Sequence, residues 1–141
     1  MTMAPQVAAD PRSIKNFLLQ IGTDTYELHA STVVWGKTTT QVQWKGGTPD
    51  AVYTDSVVGD HLCNITLVHD YQNEDSLFNW MIDHEGEQAE VTYRPDADGD
   101  FVQTATITVV APDVGAAVGT FGESTIACPS TKPVRTFTPV A

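Results

Sequence analysis

A mainly β chain with one helix is what this sequence predicts, on three grounds. Segments such as FVQTATIT (101–108) alternate apolar and hydroxyl residues, the period of a strand. One stretch, NEDSLFNWMIDHEG (73–86), changes to helical spacing. Charged residues are only 18% of the chain while Thr and Val are abundant, a balance that favours sheet over long charged helices. At 141 residues there is enough chain for one domain with one core.

Taken in order, residues 1–13 are small, polar and marked by Pro5 and Pro11, and read as an arm outside a domain that spans 14–141. IKNFLLQIGTDTYEL (14–28) reads as two short strands turning at Gly22–Thr25. STVVWGKTTTQVQWKGG (31–47) reads as one long mixed strand. Trp35, Lys37, Thr39, Gln41 and Gln43 share one parity, and Val34, Thr38, Thr40, Val42 and Trp44 share the other. Neither face is cleanly apolar, which is odd for a strand on a core. The stretch 45–60, with three glycines and Pro49, reads as a long loop, and loops of that length tend to be functional.

HLCNITLVHDY (61–71) is a strand with Cys63, Ile65 and Leu67 on one side. The helix is placed at about 74–85, capped by Asn73 and stopped by Gly86, with Glu74 and Asp75 at its positive end. So short a helix cannot stand alone, so its stripe of Leu77, Phe78, Met81 and Ile82 must lie on a sheet. A hairpin follows at about 88–110, turning at Asp98-Gly99. After a loop, TFGESTIACP (120–129) is the final strand. Residues 130–141 form a proline-marked tail in which Val134 and Phe137 can still pack.

Composition excludes several functions. Seven Lys and Arg against eighteen Asp and Glu leave a net charge of −11, the wrong sign for general attraction to phosphate. Cys63 and Cys128 are too few for a disulfide framework and read as buried thiols. The N-terminus lacks the pattern of a signal peptide, and no run reaches membrane-span length. Asp96, Asp98 and Asp100 start like a calcium loop, but Phe101 and Ile107 stand where that loop needs Gly and Glu. His29, His61, His69 and His84 have no zinc-site spacing. Ser56 and Ser124 sit in no nucleophile motif, and there is no phosphate loop or dinucleotide fingerprint. No catalytic residue, metal or cofactor is therefore expected, and the chain does not read as an enzyme. Trp35 and Trp44 leave open a carbohydrate-binding or adhesion module that would use them as sugar platforms. What remains is architectural: strands whose second face is neither charged nor apolar suit contact with copies of the same chain.

The order of the helix EDSLFNWMIDHEG, the hairpin AEVTYRPDADGDFVQTATITVVAP, the link DVGAAVGTFGESTIACP and the tail motif KPVRTF resembles the major tail tube protein of long-tailed bacteriophages with non-contractile tails. The likeness covers 61–136. It implies two packed antiparallel sheets with one flanking helix. It also implies hexameric rings stacked into a hollow virion tail tube, assembled in the host cytoplasm. The implied partners are other copies of the chain, a tape measure protein, and tail terminator and distal tail proteins. DNA would pass through the tube without specific binding, and no membrane is involved. A tail terminator or head-decoration protein is the neighbouring alternative.

A tube wall must pass a polyanion without holding it, and hydroxyls do this where Lys and Arg would bind and apolar groups would dewet. Thr104, Thr106 and Thr108 are accordingly the bore-facing candidates. Lys45, Gly46, Gly47, Asp50 and Tyr53, with the arm 1–13, are the candidates for stacking one ring on the next.

Overall fold

A computed structural model of the chain describes residues 4–139; residues 1–3 of the arm and 140–141 of the tail lie outside the described residues. The elements, in chain order, are β1 (Leu18–Ile21), β2 (Asp24–Thr25), β3 (Ala30–Lys45), β4 (Val52–Val68), α1 (Leu77–Asp83), β5 (Gln88–Arg94), β6 (Phe101–Thr108), β7 (Glu123–Ser130) and β8 (Val134–Phe137). The fold is mainly β, antiparallel throughout, with one flanking helix among the described residues.

The strands form one 8-stranded sheet in the order β2-β1-β5-β6-β7-β4-β3, with β8 added beside β6. Where two packed sheets were expected, two halves of one sheet meet at a single register pair, Ile107 with Ser130. The sheet must curl at that seam. Tyr93 on β5 and Cys63 on β4 are separated by two strands, which would put them about 14 Å apart in a flat sheet. Yet the Tyr93 hydroxyl is pushed up in pKa by burial first and by the nearby Cys63 second. Both halves thus line one core, with Leu19, Ile21, Val91 and Ile107 from one and Val33, Ile65, Leu67 and Ile126 from the other.

The helix closes that core with Leu77, Phe78 and Met81. Ile82, placed in the same stripe by spacing, is 38% exposed, at the edge of a stripe whose last buried member is Met81. The cap is also displaced from Asn73 to Ser76. The buried Ser76 Oγ accepts the Asn79 N–H at 3.3 Å and donates to the Asp70 carbonyl at 2.7 Å. Asn73 instead makes the preceding turn, its carbonyl accepting the Ser76 N–H. Gly86 follows two residues past the C-cap His84.

The β5–β6 hairpin stands where the pattern put it. Its loop is six residues long, 95–100, and closes through the Gly99 N–H on the Asp96 carbonyl at 2.9 Å. Residues 4–13 carry no regular structure, and Arg12 ties them to Asp96 at 3.1 Å. The tail contains β8, which pairs with β6 through its backbone while Val134 and Phe137 stay exposed.

One expectation is overturned. Residues 45–60 are not a long loop. The chain turns within 46–51, the Gly46 N–H meeting the Ala51 carbonyl at 2.6 Å, and 52–60 continue as β4. Every residue from Val52 to Val58 has a register partner on β3. Gly46 and Gly59 serve close approach here rather than a loop. A Cβ on Gly46 would stand 2.7 Å from the Ala51 Cβ and 3.1 Å from the Trp44 ring.

Candidate functional site

The strands β3 and β4 outgrow the body. Their inner halves pair with the core, β7 covering β4 from His61 to Val68. Their outer halves, 37–45 and 52–60, are exposed at every residue and hydrogen-bond only to each other. A two-stranded ribbon without a third strand is marginally stable in water. The outer edge of β3 carries no strand partner among the described residues over its 16 residues.

Register gives the ribbon two faces. The cross-strand pairs Trp44–Tyr53, Val42–Asp55 and Thr40–Val57 share one, and it is largely apolar. The rings of Trp44 and Tyr53 lie 5.7 Å apart at the tip, 60% and 65% exposed. Lys45–Val52, Gln43–Thr54, Gln41–Ser56 and Thr39–Val58 share the other face, which is mostly hydroxyl and amide. At the root a bulge leaves Thr38 outside the register. Its Oγ1 accepts the Asp60 N–H at 2.9 Å, directly over Gly59.

Of the stacking candidates, Lys45 ends β3, Gly46, Gly47 and Asp50 make the tip turn, and Tyr53 is the second residue of β4, so the structure gathers all five at the ribbon tip. The bore candidates Thr104, Thr106 and Thr108 lie together on β6 and are half-buried. Thr106 donates its N–H to Thr131 Oγ1 at 3.1 Å, and Thr104 Oγ1 donates to the Val134 carbonyl at 3.4 Å. Val102, on the same parity, is buried. The segment 131–134 thus partly covers this face. Trp35 and Trp44 differ in parity and do not form one platform: Trp35 packs against the core while Trp44 projects at the tip.

Two features escape the sequence reading. The loop 109–122, at the far end of β4, holds exposed Val114, Val118 and Phe121. With His69, Tyr71 and Phe78, part of that loop borders an open concavity of about 520 Å³. A Ser–His contact lies behind it, His69 Nε2 and Ser124 Oγ being 2.6 Å apart. The Ser124 hydroxyl donates to the Asp113 carbonyl at 3.0 Å, so the imidazole N–H donates to Ser124. The serine proton is committed to the backbone, and the arrangement clasps the loop to the body instead of activating a nucleophile. Only the short spacing of His69 from the apolar run and the Asp113–Ser124 flanks could have signalled it.

Burial pushes the Cys63 thiol up to about 12, with the neighbouring Cys128 adding to it. Burial raises Cys128 as well. Both are free and face each other across β4 and β7. Among the described residues, no group of three His, Cys, Asp or Glu stands close enough to hold a metal ion.

No protein-family model matches the sequence, and no curated protein matches it. Among solved structures, the fold matches a chain in the cryo-EM structure of an extracellular contractile injection system, PVC sheath/tube terminator in extended state. The TM-score is 0.60 at 10% identity, over 92% of this chain and 99% of that one. At such identity the likeness shows a shared fold, spanning nearly the whole of both chains.

Proposed function

We propose that this chain is a structural subunit of a virion tail or tail-like tube, and within that class a tube subunit that closes into rings and stacks. The observation that carries the reading is the end-to-end fold match to a chain of an injection-system assembly. The open β3 edge and the unpartnered ribbon support it, since a neighbouring copy can supply both missing contacts.

Hexameric rings, a tape measure protein inside the tube and passage of DNA are what the resemblance to major tail tube proteins adds. Thr104, Thr106 and Thr108 remain the proposed bore face, and the Gln41, Gln43, Thr54 and Ser56 face of the ribbon has the same uncharged chemistry. The Thr106→Lys variant should assemble yet slow DNA ejection from phage that carry it. Ejection at the normal rate would remove β6 from the bore.

Negative-stain electron microscopy of the purified protein tests the class. Hollow tubes of uniform width are the expected result. Single rings that never stack favour a terminator, the second reading, which the name of the matched assembly supports. A monomer at every concentration overturns both.

A further inference from the structure

We infer that β8 is an exchange strand: in the assembled ring the tail of one copy leaves its own β6 and pairs with β6 of the next copy. This inference rests on the ring reading above and names the element that joins neighbours.

Burial singles out this strand. Among the described residues, β8 is the one strand longer than two residues with no buried position. None of its residues belongs to the core cluster. Val134 and Phe137 stay 60% and 71% exposed even while the strand is docked. Backbone is what holds it. The register runs from Phe101–Phe137 to Thr104–Val134, and just beyond it the Thr138 N–H donates to the Asp100 carbonyl at 2.8 Å. Side chains add the edge-on rings of Phe101 and Phe137, 5.9 Å apart, and Arg94 Nη1 donating to the Thr138 carbonyl at 3.1 Å. An identical β6 on a second copy offers the same ladder and the same two contacts.

The connection to β8 is short. β7 ends at Ser130, which pairs with His61 of β4 and with Ile107 of β6, and β8 begins at Val134. The link 131–133, with Pro133 inside it, reaches at most about 14 Å. Such a connection invites exchange between copies, and it limits the acceptor to a copy packed directly against this one. Residues 124–141 hold Lys132 and Arg135 and no carboxylate, in a chain of net charge −11. The tail is thus a stretch that an acidic neighbour does not repel. Neither Lys132 nor Arg135 makes an ion pair among the described residues, so moving the tail breaks none.

Proximity sets the balance, because the strand makes the same ladder on either β6. A lone subunit keeps its tail, since its own β6 is always within reach. In a ring the neighbour's β6 is held as close, and a strand that crosses the junction covers Val134 and Phe137 between two bodies instead of one.

The test uses the full-length protein with cysteines at the register partners Gln103 and Arg135. The bond from Thr138 to Asp100 puts Phe101–Phe137, and therefore Gln103–Arg135, among the non-hydrogen-bonded pairs, whose Cα atoms approach to about 4.5 Å. Gln103→Cys copies and Arg135→Cys copies are mixed before assembly, oxidised with copper phenanthroline and run on a denaturing gel. The unaltered protein, with its two native cysteines buried, is the blank. The assembled mixture should give covalent dimers, and the dilute mixture or either variant alone should give none. The double variant Gln103→Cys with Arg135→Cys should bridge internally when dilute and from neighbour to neighbour in rings, giving a ladder. Deletion of 131–141 removes no core residue, so the subunit stays folded by circular dichroism, and it should form no rings. Rings of the mixture without dimers, dimers from one variant alone, a double variant that stays monomeric on the gel after ring assembly, or normal rings from the truncated chain each overturn the exchange while leaving the ring reading intact. Absence of rings and tubes from the unaltered protein overturns the ring reading itself.

Discussion

A methyl group added at Gly59 should loosen the ribbon and nothing else. The Cβ of Gly59→Ala would lie 2.4 Å from Thr38 Oγ1 and 3.6 Å from Thr38 Cβ. Thr38 is stiff at χ1, so relief requires rotating its hydroxyl away. That breaks its bond from the Asp60 N–H, a loss of about 1 kcal/mol. The forced rotamer costs about another 1 kcal/mol. Ala gains about 0.5–1 kcal/mol over Gly inside a strand. The net is about 1 kcal/mol against the ribbon, or about fivefold faster local opening. The outer ribbon buries no core residue, so opening it leaves the body intact.

The assay is amide hydrogen exchange followed by NMR. Amides of 39–45 and 52–58 should exchange about fivefold faster in Gly59→Ala, with those of Ile65 and Ile107 unchanged. The decisive comparison is the same substitution in a Thr38→Ala background. There the clash and the hydroxyl bond are both gone, so only the strand preference remains. Gly59→Ala should then slow exchange instead of speeding it. If it speeds exchange equally in both backgrounds, Thr38 is not the cause and the bulge clasp is wrongly described.

Four further outcomes are expected. Ser76→Ala removes the helix cap and strands the Asp70 carbonyl, and should cost about 2 kcal/mol, read as a fall of several degrees in melting temperature. The native thiols should resist a disulfide reagent at pH 8 until the chain unfolds. Because folding raises the Cys63 pKa from 9.0 to about 12, its contribution to stability is complete below about pH 9 and fades as pH climbs toward 12. Denaturation midpoints at pH 7 and pH 10.5 should therefore differ, and by less in Cys63→Val. The Asp96 carboxyl is held below its ordinary range by the Asp98 N–H first and Arg12 second. This hold is present above the ordinary carboxylate pKa and lost as pH falls through the depressed one, so Ser13 should show NMR shifts toward unstructured values in acid, and also in 1 M salt.

Elements that bury one face were legible, and elements that bury neither were not. The helix and the 88–110 hairpin announce themselves because the core selects Leu77, Phe78 and Met81 at one period and Val91, Tyr93, Ala105 and Ile107 at another. The outer half of β4 sends no such signal, since Val57, Val58 and Tyr53 are all exposed and alternation has nothing to sort. Gly46, Gly47 and Gly59 then look like loop punctuation, although Gly59 is there to admit the Thr38 hydroxyl. The cap was misplaced because Asn73 and Ser76 are both good caps, and the choice falls to whichever hydroxyl or amide the Asp70 carbonyl can reach. Thr104, Thr106 and Thr108 were read as a bore face, and the structure places them on one parity of β6, half-buried. Their partial cover comes from 131–134, a strand-forming tail whose pairing is carried by backbone and so leaves little mark in side-chain pattern. The concavity under 109–122 was invisible for a different reason: its walls come from segments 35 residues apart or more, brought together only by the fold.

Charge and edges together explain why such a subunit is built unevenly. A chain of net charge −11 resists its own copies at every acidic face, and at 0.15 M salt that resistance still reaches about 8 Å. Association therefore has to be confined to faces from which acid has been withdrawn. Residues 30–49 form such a stretch, twenty residues with two lysines and no carboxylate, and they coincide with the strand whose outer edge is open. An open edge is ordinarily blunted by charge or proline against unwanted pairing. Here Lys37 and Lys45 are the only charges on it, and they oppose positive neighbours while admitting a negative one. The same two lysines therefore guard the edge of a lone subunit and, on the proposed reading, leave it open to an acidic face of a neighbouring copy.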